Sequence, residues 1–146
     1  MEPLDLKAIP HNALLLVDTA PIIYVLERHP TFGPHYRPLF DAHAAGKLRF
    51  AVTTVTVVEV LTGPCKADNP ELAMRYRFVL ESWRMIPLDI DIAASAARLR
   101  ADVGLKLPDA VQLAAAIAVN AFALVTHDRD FAAVDWFPIR SGLLPG

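Results

Sequence analysis

The stretch Leu105–Phe131, LKLPDAVQLAAAIAVNAFALVTHDRDF, decides how the rest of the chain is arranged. Pro108 suits the first turn of a helix, where its missing N–H costs nothing, and Asp109 follows it inside the positive end of the dipole. Ala110 to Ala118 is apolar nearly all round and rich in Ala, which predicts a buried, tightly packed helix. Asn120 can end it, and Ala123-Leu124-Val125-Thr126 then reads as a short buried strand with Asp128 and Asp130 just beyond. A helix that opens on an acid and a strand that closes on acids set carboxylates at one end of a core. Open α/β sheets carry their sites there, beyond the carboxyl ends of the strands.

Outward from that stretch, Ala13–Val17 (ALLLV) is a continuous apolar run of the kind buried on both faces of a parallel sheet. Asp18-Thr19 ends it, and Pro21 opens a helix reaching about Glu27. After the breaker-rich loop His29–Pro34, a second helix is predicted over His35–Ala45, with Gly46 as a left-handed cap. Phe50–Val60 is β-branched almost throughout, which favours one long strand. A helix capped by Thr53 or Thr54 would instead group Val55, Val58, Leu61 and Thr62 on one face, and propensity leaves both open. Gly63-Pro64 predicts a stop in either case, with a loop over Cys65–Pro70.

Glu71–Trp83 is an amphipathic helix with Leu72, Tyr76, Val79, Leu80 and Trp83 at helical spacing, plus a second apolar pair, Met74 and Phe78. Arg84–Leu88 reads as a strand, Asp89 or Asp91 caps a helix that Gly104 ends, and Trp136–Arg140 reads as a last edge strand. Strands alternating with helices predict one α/β domain over 1–146: a doubly wound, mostly parallel sheet of about five strands flanked by helices. Residues 1–12 are expected to be a loose extension and 141–146 a loose tail.

Composition narrows the function. A hydrophobic fraction of 54% with mean hydropathy +0.35 fits a sheet covered on both faces, or apolar surface buried against a partner. A net charge of −2 excludes a global basic field, so any nucleic-acid binding needs a local basic patch or a bound cation. Cys65 is alone, which excludes an internal disulfide and a thiolate zinc site. With no basic-then-apolar leader and no apolar run long enough for a bilayer, a soluble cytoplasmic protein without membrane contact is expected.

Four carboxylates stand out by position: Asp18, Glu59, Asp109 and Asp128. Two unit charges about 4 Å apart repel by roughly 4 kcal/mol at an effective dielectric near 20, so such a cluster needs protons, basic partners or a divalent cation. An all-oxygen set suits Mg²⁺ or Mn²⁺, the usual apparatus of metal-assisted phosphodiester hydrolysis. Taken singly, each acid has a plainer reading. Asp109 complements a helix dipole, Asp18 caps the helix at Pro21, Asp128 and Asp130 form a turn with Arg129, and Glu59 on a strand would only face outward.

Four segments in order, Val17-Asp18-Thr19-Ala20, Val55–Gly63 (VTVVEVLTG), Leu107-Pro108-Asp109-Ala110 with Leu113–Ala116, and Val125–Phe131 (VTHDRDF), resemble the PIN domain family and its VapC-type toxins of toxin–antitoxin pairs. The resemblance implies a central parallel sheet and a metal-dependent ribonuclease site of Asp18, Glu59, Asp109 and Asp128, with Asp130 as an outer member. It places Glu59 on a helix after a strand ending near Thr53, puts Thr19 and Thr126 near the metals, and assigns His127 no role. RNA as substrate, an antitoxin partner and a homodimer follow as expectations. Two other readings are a binding module docking a protein through Met74 and Phe78, and another acid-cluster hydrolase. The phosphatase version of the latter usually wants a second Asp where this chain has Ala20.

Overall fold

In the computed structural model, which describes residues 5–140, β1 (Ala13–Val17) lies at the middle of a five-stranded sheet. The other strands are β2 (Leu48–Thr53), β3 (Arg84–Ile86), β4 (Ala123–Val125) and β5 (Ile139–Arg140), in the order β3-β2-β1-β4-β5. Every pairing is parallel, with Leu16 beside Ala51 and Leu124. The sheet is therefore all-parallel where a mostly parallel one was predicted. The predicted tail 141–146 and the first four residues of the predicted extension lie outside the described residues.

Alternation along the strands explains why they are apolar without interruption. Leu14 and Leu16 belong to one core, with Ala51 and Leu124; Leu15 and Val17 belong to the other, with Phe50, Val52, Ala123 and Val125. Helices α5 (Ile90–Val103) and α6 (Leu107–Ala118) cover the first face. Helices α1 (Thr19–Leu26), α2 (Phe32–Ala44), α3 (Thr54–Lys66) and α4 (Pro70–Glu81) supply the second. Leu6 and Ile9, ahead of the first strand, also pack there.

Several boundaries differ from expectation, each for a local reason. α1 begins at Thr19 rather than Pro21, because Asp18 caps it directly. α2 begins at Phe32, so Pro34 falls in its first turn, where a missing N–H is harmless. The ambiguous valine-rich segment divides at Thr53: β2 ends there, and the Thr53 hydroxyl accepts the Thr56 N–H at 3.3 Å to start α3.

The predicted stop at Gly63-Pro64 is wrong. α3 runs to Lys66, since Pro64 forfeits only one bond near the helix end, and Asp68 (φ 51) makes the left-handed exit. The loop predicted at Cys65–Pro70 is thus shorter, Ala67–Asn69, with Cys65 and Lys66 ending α3 and Pro70 opening α4. Gly46 takes the predicted left-handed conformation at φ 76, and Gly104 and Asn120, predicted as helix ends, take it too at φ 81 and 52. After Gly46 and Asn120 the N–H of the next residue bonds back five residues, Lys47 to Ala42 and Ala121 to Ala116. Among the described residues, no helix is long and apolar enough to cross a membrane.

Candidate metal centre

The chain leaves β1 toward β2 and β3 on one side and returns through β4 on the other, so its topological switch lies between β1 and β4. A crevice opens at such a point beyond the strand ends. Here a cleft of about 530 Å³ is lined by Asp18, Glu59, Asp109 and Asp128, with Thr19, Tyr24, His127 and Arg129 among the remaining walls. All four predicted acids thus reach one cleft, although they start from four different elements.

Their carboxylates are held very differently. Asp18 follows β1, and its N–H donates to the Val125 carbonyl at 2.8 Å, extending the parallel ladder by one rung. Its Oδ1 accepts from Thr19 N at 2.8 Å and Gln112 Nε2 at 2.9 Å, and its Oδ2 accepts from Thr126 Oγ1 at 2.8 Å. Thr126 Oγ1 in turn accepts the Asp128 N–H at 3.0 Å, and Asp128 Oδ1 accepts the Asp130 N–H at 2.8 Å. The turn after β4 is therefore organised by its own hydroxyl and carboxylate, as Asx-type turns are.

Gln112, fully buried, ties the other wall together. Its Oε1 accepts from Thr53 Oγ1 at 2.8 Å, and its Nε2 donates to Thr56 Oγ1 at 2.7 Å as well as to Asp18. Thr56 Oγ1 lies 3.1 Å from Thr19 Oγ1, and Thr19 donates to Glu59 Oε1 at 2.9 Å. The Thr19 hydroxyl hydrogen is committed to Glu59, so Thr56 is the donor to Thr19. Every hydrogen in the chain from amide to hydroxyls thus points toward a carboxylate. Neither Gln112 nor Thr56 stands out in a search for acids. The readable signal is an amide three residues after Asp109, alone among apolar neighbours on a buried helix.

Asp109 is the exception. It is buried at 7% exposure, yet its Oδ2 has no hydrogen-bond partner. Burial pushes its pKa up to about 8; Asp128, as a partner for that proton and as a like charge, adds to the rise, and Asp18 and Asp130 repel further. Below that pH the protonated Asp109 carboxyl can donate to Asp128; once both are ionised neither can donate, and Oδ2 is left without a partner. Asp109, Asp128 and Asp130 each bring a carboxylate oxygen within 4.8 Å of the others. This acidic group is consistent with a metal site. Asp130 thus stands inside the tight group, whereas Asp18 and Glu59 share the cleft but spend oxygens on the hydrogen-bond network. Exposed Lys106 approaches Asp130 Oδ2 at 3.4 Å, a contact that is weak in water.

His127 has a place too. Its Nδ1 lies 2.6 Å from the Tyr36 hydroxyl, and burial, with positive neighbours, lowers its pKa.

Residues 15–137 match the sequence profile of the PIN domain family. Among solved structures, the chain is 30% identical to a component of a toxin–antitoxin complex from Klebsiella pneumoniae, covering 83% of this chain and 92% of that one, with a TM-score of 0.66. Two more distant structures share the fold. DNA-bound VapBC from Salmonella typhimurium is 18% identical, with a TM-score of 0.71 over 88% of this chain and 98% of that one. VapC20 of Mycobacterium tuberculosis, a sarcin–ricin loop cleaving toxin, is 16% identical, with a TM-score of 0.65 over 86% and 98%. No curated protein matches the chain.

Proposed function

Because this chain belongs to the PIN domain family, whose members are typically nucleases, we propose that it is an endoribonuclease that hydrolyses RNA phosphodiesters with Mg²⁺ or Mn²⁺. The observation that carries this reading is the buried, donor-free Asp109 Oδ2 inside a three-carboxylate group. Every ligand on offer is a carboxylate oxygen, the donor chemistry of a hard divalent cation, so the residues fit the group. Asp109, Asp128 and Asp130 would hold it, with Asp18 and Glu59 in the same cleft. Bound there, a divalent cation supplies Lewis acidity at a phosphate oxygen and lowers the pKa of water.

The chain's own groups do the rest. Asp18, gripped by three donors, presents charge in a fixed position that needs no reorganisation during the reaction. Glu59 takes one bond from Thr19 and is otherwise exposed, which suits it to accept the proton of the attacking water. Arg129, exposed at the cleft wall, meets the negative backbone. Water adds at phosphorus, the P–O3′ bond breaks and the 3′ oxygen takes a proton, leaving 5′-phosphate and 3′-hydroxyl ends.

On the same reading, residues 1–146 form one cytoplasmic PIN domain, the toxin of a toxin–antitoxin pair and a homodimer whose cognate antitoxin covers the cleft. The likeness to the Klebsiella complex supports this partner. Incubating the purified protein with structured RNAs in Mn²⁺ and mapping the cut ends tests the activity. Asp18→Asn and Asp109→Asn should each lower the rate by at least about 100-fold, by loss of charge where the transition state needs it. Unchanged cleavage and Mn²⁺ affinity in both variants would exclude this site.

A second reading, a binding module of little catalytic power, has its own observation. Met74 and Phe78 on α4 are 72% and 79% exposed. Tight capture of a purified antitoxin peptide by protein that never cuts RNA in Mn²⁺ would favour it.

A further inference from the structure

Beside the acids, the cleft carries an aromatic wall that hydrolysis does not require. Tyr24 on α1 and His127 after β4 both line it. Their rings meet edge to face with centroids 5.1 Å apart. Phe32, at the start of α2, braces both, at 5.0 Å from Tyr24 and 4.4 Å from His127. His29 stacks on Phe32 at 4.8 Å, the rings nearly parallel at 18°. Tyr36 is fully buried beneath them, and its hydroxyl, 2.6 Å from His127 Nδ1, holds that ring in place.

The upper four rings are only half-buried, so they pack on one another at the surface rather than beneath the core. Four rings from three segments, pinned from below and left partly open, form a rigid platform with little conformational entropy left to lose. That is the construction that binds flat π-systems.

We propose that Tyr24 and His127, supported by Phe32, form a stacking subsite for an unpaired nucleobase next to the phosphodiester presented to the acids. The inference rests on the nuclease reading and names the residues that hold a base of the RNA beside the cut. A paired base keeps its faces covered by its neighbours in the helix, whereas a looped-out base can stack on protein rings. Charge points the same way. The chain is net −2, and among the described residues Arg129 is the one Lys or Arg lining the cleft, so phosphate contacts alone give little affinity, while stacking is insensitive to net charge.

Binding is read without turnover. Wild-type protein in Ca²⁺ is titrated into a short RNA carrying one 2-aminopurine, as a single strand and annealed to its complement, with fluorescence reporting stacking and anisotropy reporting affinity. Binding of the single strand should quench 2-aminopurine at one position in the sequence, and the duplex should bind more weakly without quenching. Tyr24→Leu and His127→Leu should each weaken single-strand binding about 5- to 150-fold, the range for losing one stacked base, while Tyr24→Phe keeps it. Circular dichroism melts separate lost stacking from lost folding. Should a Leu variant not fold, the position-specific quenching of the wild type still decides.

Equal binding of duplex and single strand without quenching, or unchanged affinity in both folded Leu variants, would overturn the subsite. The two readings fail separately. Protein that quenches 2-aminopurine but never cuts RNA in Mn²⁺ sinks the nuclease alone, and protein that cuts RNA with unaltered affinity in the Leu variants sinks the subsite alone.

Discussion

Asp109 carries an electrostatic cost, because burial and the neighbouring carboxylates disfavour its charged form, so the fold keeps this proton to a higher pH than the open chain does. Its folded pKa is about 8 and its ordinary value 3.8. Between about pH 4 and 8, then, the native state binds more protons than the unfolded state, and stability contributed at this group falls as pH rises. Without metal, the melting temperature should decline across that window. Asp109→Asn should flatten the decline and raise stability at pH 8 by about 1 to 3 kcal/mol, once screening in the open cleft is allowed for. Saturating Mn²⁺ should abolish the decline in the wild type, because the cation replaces the proton. A pH profile identical in wild type and Asp109→Asn would remove Asp109 from this role.

Gln112 makes a complementary prediction. Gln112→Leu fills the same space but leaves Thr53, Thr56 and Asp18 each short of a partner in the interior. Leaving buried polar groups unpaired should cost about 2 to 4 kcal/mol in urea unfolding. Retention of full stability would show that water replaces the amide.

At the scale of elements, α3 shows how a single cap overrides propensity. Val55, Val57 and Val58 favour a strand, yet all three are helical: Thr53 accepts the Thr56 N–H of the first turn, and the helix brings Thr56 to Gln112 and Glu59 to the cleft. Thr53→Ala removes both the cap and the donor to Gln112, so a loss of about 1 to 3 kcal/mol is expected, with Thr53→Ser close to the wild type. Thermal melts of the pair check this, and equal melting temperatures would show that the cap contributes nothing. α6 does the opposite and follows its sequence closely. Pro108 sits in its first turn, its middle is buried on every side, and Asn120 closes it with φ 52.

Across the whole molecule, nucleic-acid binding must work without a basic surface. The chain holds 14 Lys and Arg against 16 Asp and Glu. Single-strand binding that neutralises Z phosphates gives a slope of log K against log salt near −0.7Z. With Arg129 on the wall and Lys106 beside Asp130 as the nearest cations, Z is small, and the slope should be shallower than about −2. Anisotropy over a KCl series measures it. A slope of −4 or steeper would mean that RNA lies along some other, basic face.

What the amino-acid sequence determined by itself was the α/β class, the buried strands, most helix ends and four acids that share one cleft. Those rest on local rules: apolar runs, caps, left-handed residues and the chemistry of carboxylates in order along the chain. It could not settle strand against helix over the valines of α3 from propensity, nor see a helix pass through Pro64, since both depend on what the segment packs against. Only the tertiary structure decided which acids stand together. Asp109, Asp128 and Asp130 form the tight group, while Asp18 and Glu59 are held by hydroxyls and the Gln112 amide. Side-chain direction and pairing across 37 to 108 residues of separation are set by the closure of the sheet, which no local pattern encodes.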